Sequence, residues 1–128
     1  MEFDRRQKDR GVRATAVHPG GIQTELGRHM KPEVIQQMID SITAANAAAG
    51  ETAGFSWKTI PQGAATSVWA GVVAPADAVG AHYCEDCHVA QGVDDVAEVR
   101  EGVRRYALDG EHAKALWAKS EELVGERF

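Results

Sequence analysis

"GVRATAVHPGGIQTELGRHM", Gly11 to Met30, is the stretch on which the fold turns. Small and β-branched residues from Val12 to Val17 predict a short strand, which Pro19, Gly20 and Gly21 stop. A nearly continuous apolar strand of this kind suits the buried middle of a parallel sheet better than a half-wet hairpin. Just upstream, "MEFDRRQKDRG" reads as the last turns of a helix. Basic residues crowd its end, and Gly11 stands where a left-handed residue closes a helix.

Downstream of the turn, "KPEVIQQMIDSITAANAAAG" is helical by period. Val34, Ile35, Met38, Ile39 and Ile42 share a face, Pro32 sits near the start and Gly50 near the end. Thr59-x-x-Gln62 is a capping box that opens another helix, with Ala64, Ala65, Val68, Trp69 and Val72 as its apolar face and Pro75 just past it. "VGAHYCED" predicts a second short strand, and the acidic stretch from Gln91 to Gly102 an exposed loop or poorly formed helix. Asp109 caps a terminal helix whose Ala113, Leu116, Trp117, Ser120 and Leu123 fall on one side, with Gly125 beyond. Helix end, strand, helical excursion, helix, strand and helix form part of a wound α/β pattern.

The chain's 128 residues allow one core, and 14 Lys and Arg against 19 Asp and Glu leave a formal charge of −5 without a block of like sign. That balance argues against nucleic acid or an anionic membrane as the main partner. No apolar run approaches the roughly 20 residues of a membrane span, and the first residues are mostly charged, so the expected location is cytoplasmic.

Three segments resemble the short-chain dehydrogenases/reductases. Gly11 to Met30 resembles their sixth strand and the loop that follows, "KTIPQGAATSVW" (Lys58 to Trp69) their next helix, and "LWAKSEELVGERF" the closing helix of retinol-dehydrogenase-like and WW-domain-oxidoreductase-like members. The resemblance covers essentially the whole chain, with the segments in family order. It implies that residues 1–128 are the C-terminal portion of a Rossmann-type domain: the last two strands of its parallel sheet and three or four helices. It also implies a rim of a nicotinamide site for NAD or NADP, with Pro19, Gly20 and Gly21 against the ring, Ile22 at the carboxamide and Thr24 at carboxamide or pyrophosphate. The helix from Glu33 would cover a small alcohol or carbonyl substrate. Ligands of open parallel sheets bind at the carboxyl ends of strands, which is where this turn lies.

Proton exchange in this family uses a Tyr, a Lys four residues later and a Ser, and no Y-x-x-x-K occurs among these residues: Cys87 follows Tyr83 at that spacing, and Gly110 follows Tyr106. The glycine-rich phosphate loop does not occur either. The expectation is therefore an oxidoreductase segment with no catalytic residue of its own and no tight cofactor binding alone. The alternative is an interaction module that docks on an intact dehydrogenase or on a second copy.

"YCEDCH", Tyr83 to His88, contains C-x-x-C-H, the spacing of covalent haem attachment. Without a leader for export, without a second Cys/His pair for zinc, and with Glu85 and Asp86 set against a reactive thiolate, the expectation is two reduced thiols and no metal. His18, His29, His82, His88 and His112 form no H-x-x-x-H pair, so ordinary structural roles are expected of them.

Overall fold

In a computed structural model, residues 1–48, 50, 54–94 and 101–128 are described. They divide into two compact units, Met1–Pro19 with Ala64–Phe128, and Gly20–Gly63.

In the first unit, helix α1 (Glu2–Gln7) runs on through a tight 3-10 turn at Lys8–Arg10 and ends on Gly11, whose φ of 77° is the left-handed closure expected of it. Strand β1 is shorter than the predicted Val12–Val17, spanning Ala16–His18. The preceding residues are held otherwise: Arg13 ion-pairs with buried Asp4 at 3.0 Å and with Asp77, and the Asp4 carboxylate accepts the Ala14 N–H at 2.8 Å. The last of these takes a backbone N–H that a longer ladder would have used. β1 pairs in parallel with β2 (Tyr83–Glu85), placing Ala16 opposite Tyr83, Val17 opposite Cys84 and His18 opposite Glu85. This is the predicted parallel pair. It is not buried on both faces, since Val17 is only half-buried and its two neighbours are exposed.

β2 then turns back into β3 (His88–Val89), antiparallel to it, through Asp86 and Cys87, whose φ values of 42° and 59° are both left-handed. Two consecutive positive φ values in a two-residue loop are the signature of a hairpin turn whose twist matches the strands. The C-x-x-C-H spacing is therefore a tight β-hairpin: Cys84 is fully buried on the strand, while Cys87 is exposed at the tip. The two are separate thiols. Among the described residues, no group of three or more His, Cys, Asp and Glu is placed to hold a metal ion. The acidic stretch also carries a strand, β4 (Gly92–Val93), parallel to β5 (Val103–Arg104). The rest of that stretch, 95–100, lies outside the described residues.

Helix α3 (Ile60–Val68) starts at the predicted capping box: Thr59 N–H donates to Gln62 Oε1 at 2.8 Å and Gln62 N–H to Thr59 Oγ1 at 3.4 Å. The chain continues as a π-helical turn, Trp69–Val73, closed by the Ala74 N–H on the Trp69 carbonyl. Within the first unit the face turned inward overlaps the predicted stripe at Ala65 and Trp69, both half-buried, and departs from it elsewhere. Thr66 and Ala70 are buried, whereas Val68 and Val72 are 54% and 81% exposed. The Thr66 hydroxyl fixes the rotation by accepting the Cys87 N–H at 3.2 Å, and small Ala70 packs into the core with Val79 and Cys84, flanked by Trp69, Ala74 and Val89. α4 (Ala76–Val79) follows.

Helix α5 (Gly110–Val124) is capped as predicted, the Asp109 carboxylate accepting the N–H groups of Glu111 and His112 and Gly125 closing it at φ 74°. Its inner side runs along Ala113, Trp117 and Glu121, while Leu116 and Leu123 are exposed. Arg6 explains the difference: it lies 4.7 Å from the Trp117 ring and donates to the Phe128 carbonyl at 2.9 Å, tying α1 to α5 and the chain's last residue.

The second unit starts at Gly20 and Gly21 of the Pro-Gly turn and holds α2 (Pro32–Ala48). Of the predicted α2 face, Ile35, Ile39 and Ile42 are half-buried, while Val34 and Met38 are 47% and 38% exposed. Among the described residues, no helix is long and apolar enough to cross a membrane.

Candidate functional site

Gly20 has a φ of 82°, a conformation a side chain rarely adopts. A Cβ placed there would lie 2.8 Å from Lys58 Cε and Nζ, so the lysine stem is packed on the glycine. At Gly21 a Cβ would meet the Phe55 ring at 3.3 Å and Trp57 at 3.5 Å, and these two rings pack edge to face with centroids 4.8 Å apart. Close approach to the glycine backbone is thus made, on these sides, by the chain's own side chains. The Lys58 N–H donates to the Gly21 carbonyl at 2.9 Å, and Ile22 forms a parallel bridge with Lys58. Ile22 also presses on the first turn of α3, where a Cβ on Gly63 would come within 2.5 Å of its Cγ1. The turn is therefore braced by Lys58, Phe55, Trp57 and α3 rather than by its own sequence alone.

Thr24 caps a 3-10 turn at Glu25–His29, its hydroxyl oxygen accepting the Leu26 N–H at 3.4 Å. An oxygen used as acceptor keeps its own hydrogen to donate. Gly20, Gly21, Ile22 and Thr24 line a cleft of about 530 Å³, together with Gln23, Leu26, Arg28, Met30, Trp57 and, from α2, Ile35 and Met38. Pro19 is exposed and outside this lining. Four of the five residues expected at the cofactor are thus brought to one concavity, with an apolar wall from the helix expected to cover a substrate. Sequence reasoning passed over Lys58 and Trp57 as site-forming residues. The signal for both lay in the aromatic-x-aromatic-Lys run Phe55–Lys58, directly before the capping box.

A flat amide-bearing ring entering this cleft would meet backbone from Gly20 to Ile22 and a hydroxyl able to donate, since all of them line it. Residues holding a nicotinamide cofactor here would be Gly20, Gly21, Ile22 and Thr24.

No family model matches the chain, and no solved structure matches it. Curated proteins do. The short-chain dehydrogenase/reductase prx1 of Penicillium roqueforti is 32% identical over 123 residues, covering 96% of this chain and 34% of that protein. A probable oxidoreductase of Streptomyces lividans is 35% identical over 107 residues, covering 84% of this chain and 35% of its own length. Human retinol dehydrogenase 14 is 27% identical over 125 residues, covering 97% of this chain and 31% of its own length. The chain thus spans about a third of the length of the curated relatives it matches. Matching proteins of that name over nearly all of its own length and about a third of theirs, the chain belongs to the short-chain dehydrogenase/reductase family, as a C-terminal portion of it.

Proposed function

We propose that residues 1–128 serve as the C-terminal part of an NAD(P)-dependent oxidoreductase domain that interconverts alcohols and carbonyl compounds, with the dinucleotide-binding half supplied from outside these residues. The cleft carries the reading: Gly20, Gly21, Ile22 and Thr24 line it together, on the loop leaving a parallel strand. In this reading the cofactor, NAD or NADP, supplies or takes up the hydride. The chain's residues do the positioning. The braced turn offers backbone and the Thr24 hydroxyl to the carboxamide, and α2 shields the reacting carbon from water. The substrate is a small-molecule alcohol or carbonyl compound, and the location is cytoplasmic.

The test is reconstitution. Residues 1–128 co-expressed with the N-terminal two-thirds of a matched relative should restore nicotinamide-dependent turnover, and Gly21→Val, which drives a side chain into Phe55 and Trp57, should abolish it. A folded, co-purifying complex with no turnover on any alcohol or carbonyl would sink the proposal.

A second reading has its own observation. In the sheet order β1-β2-β3, β1 is an edge strand, and an edge strand is a template for another chain's strand. On that reading the chain is a non-catalytic module seated on an intact dehydrogenase or on a copy of itself. Capture of full-length dehydrogenase without any gain in turnover would favour it.

A further inference from the structure

The turn that begins at Gly20 opens with two glycines, the residue type that loses most conformational freedom on folding, so its order has to come from outside it. Lys58 meets its first three residues in succession. A Cβ on Gly20 would lie 2.8 Å from Lys58 Cε and Nζ and 2.9 Å from Cδ, the Lys58 N–H donates to the Gly21 carbonyl at 2.9 Å, and Ile22 bridges Lys58 in parallel. Lys58 is itself fixed on its other side. The next residue, Thr59, opens α3 with its N–H on Gln62 Oε1 at 2.8 Å, so the lysine's backbone runs straight into a capped helix. The two backbone contacts are open to almost any residue at position 58, but the cover over Gly20 needs a long side chain. A lysine can lay its aliphatic stem along a neighbour and keep its ammonium hydrated, and Lys58 is half-buried. It stands outside the lining of the cleft, so whatever it does there it does through the turn.

We infer that Lys58 is a positioning residue: its stem holds Gly20 in the left-handed conformation that presents the Gly20–Ile22 backbone to the nicotinamide, and it governs turnover more than cofactor affinity. The nicotinamide rests on the oxidoreductase reading; the grip of Lys58 on the turn rests on the contacts alone. A reacting group misplaced by about 1 Å loses up to about a hundredfold in rate. Affinity for the dinucleotide would come mainly from the half supplied from outside these residues.

The experiment compares the parent with Lys58→Ala and Lys58→Met. Hydrogen exchange over residues 20–24 is followed by mass spectrometry on the full chain, and turnover on its co-expressed complex with the N-terminal two-thirds of a matched relative. Circular dichroism gives the folded fraction to which kcat is normalised. Lys58→Ala removes the stem and keeps both backbone contacts. It should speed exchange over residues 20–24 by about tenfold and lower kcat by about tenfold or more, with the cofactor KM within about threefold. Lys58→Met restores an aliphatic stem without the charge and should recover most of both losses. A lysine that only stabilised the fold would give neither the split between kcat and KM nor the rescue. Residues 20–24 unprotected in the folded parent, unchanged exchange or unchanged kcat in Lys58→Ala, a larger effect on cofactor KM than on kcat, or a Lys58→Met no better than Lys58→Ala would overturn the inference. A parent complex without turnover fails the oxidoreductase reading instead, and exchange in the three chains then decides the grip of Lys58 on the turn.

Discussion

Glu2 is 6% exposed, yet it carries two guanidinium partners: Arg5 at 2.6 Å and Arg6 at 2.8 Å. Their hydrogen bonds to the carboxylate hold its pKa down to about 2, against an ordinary 4.5. A carboxyl depressed in the folded chain binds its proton more readily when unfolded, so its contribution is full above about 4.5 and is lost as pH falls toward about 2. Arg13 pushes Asp4 in the same direction, so the α1 region as a whole is acid-sensitive. Glu2→Gln should therefore flatten the pH dependence of stability in that window and lower stability at neutral pH. Urea midpoints measured across the acid range check this, and an unchanged slope would show that the pair does not couple to folding. None of this was legible in "MEFDRRQKDRG", which reads as the last turns of a helix with basic residues crowding its end. The i, i+3 and i, i+4 spacing of Glu2 to Arg5 and Arg6 is in the sequence, but the burial that makes it count is not.

The element with the most to teach is the hairpin of β2 and β3. A sequence reader looks for Asn-Gly or Asp-Gly at a two-residue turn, and Asp86-Cys87 keeps only the first half of that signal. Cys87 tolerates its φ of 59° because its N–H is held by Thr66, a contact from a helix distant in sequence. The left-handed conformation costs a residue other than glycine about 1–2 kcal/mol. Glycine's looser unfolded chain offsets about 0.4–1 kcal/mol of that relief. Cys87→Gly should thus raise stability by about 0.5–1 kcal/mol, since the exposed side chain gives up no packing and the N–H to Thr66 remains. A denaturant midpoint that falls instead would mean that the thiol or the turn plays a part this geometry does not contain. Helix termini behaved differently. The Thr59–Gln62 box, the Asp109 cap and the closures at Gly11 and Gly125 are local devices, complete within a few residues, and stand where their sequence patterns put them.

At the scale of the whole molecule, the exposed side of α3 and its π turn leaves Val68, Val72 and Val73 at 54%, 81% and 68% exposure. With β1 at a sheet edge, such a patch favours self-association or a protein partner. Sedimentation should show concentration-dependent association of the chain, shifted toward monomer by Val72→Lys; a parent that stays monomeric throughout would remove the patch from consideration. Residue type and spacing by themselves determined α1, α2, α3 and α5, the strands β1 and β2 and the helix caps, because each depends on near neighbours; the family came with the resemblance of three ordered segments, and α4 and β3 to β5 were not foreseen. Only the tertiary structure decided which helix faces turn inward, that C-x-x-C-H is a hairpin with one buried and one exposed thiol, and that Lys58, Phe55 and Trp57 brace the turn. Those outcomes hang on contacts such as Thr66 with Cys87 and Lys58 with Gly20, between residues whose meeting is set by packing and leaves no periodic trace along the chain.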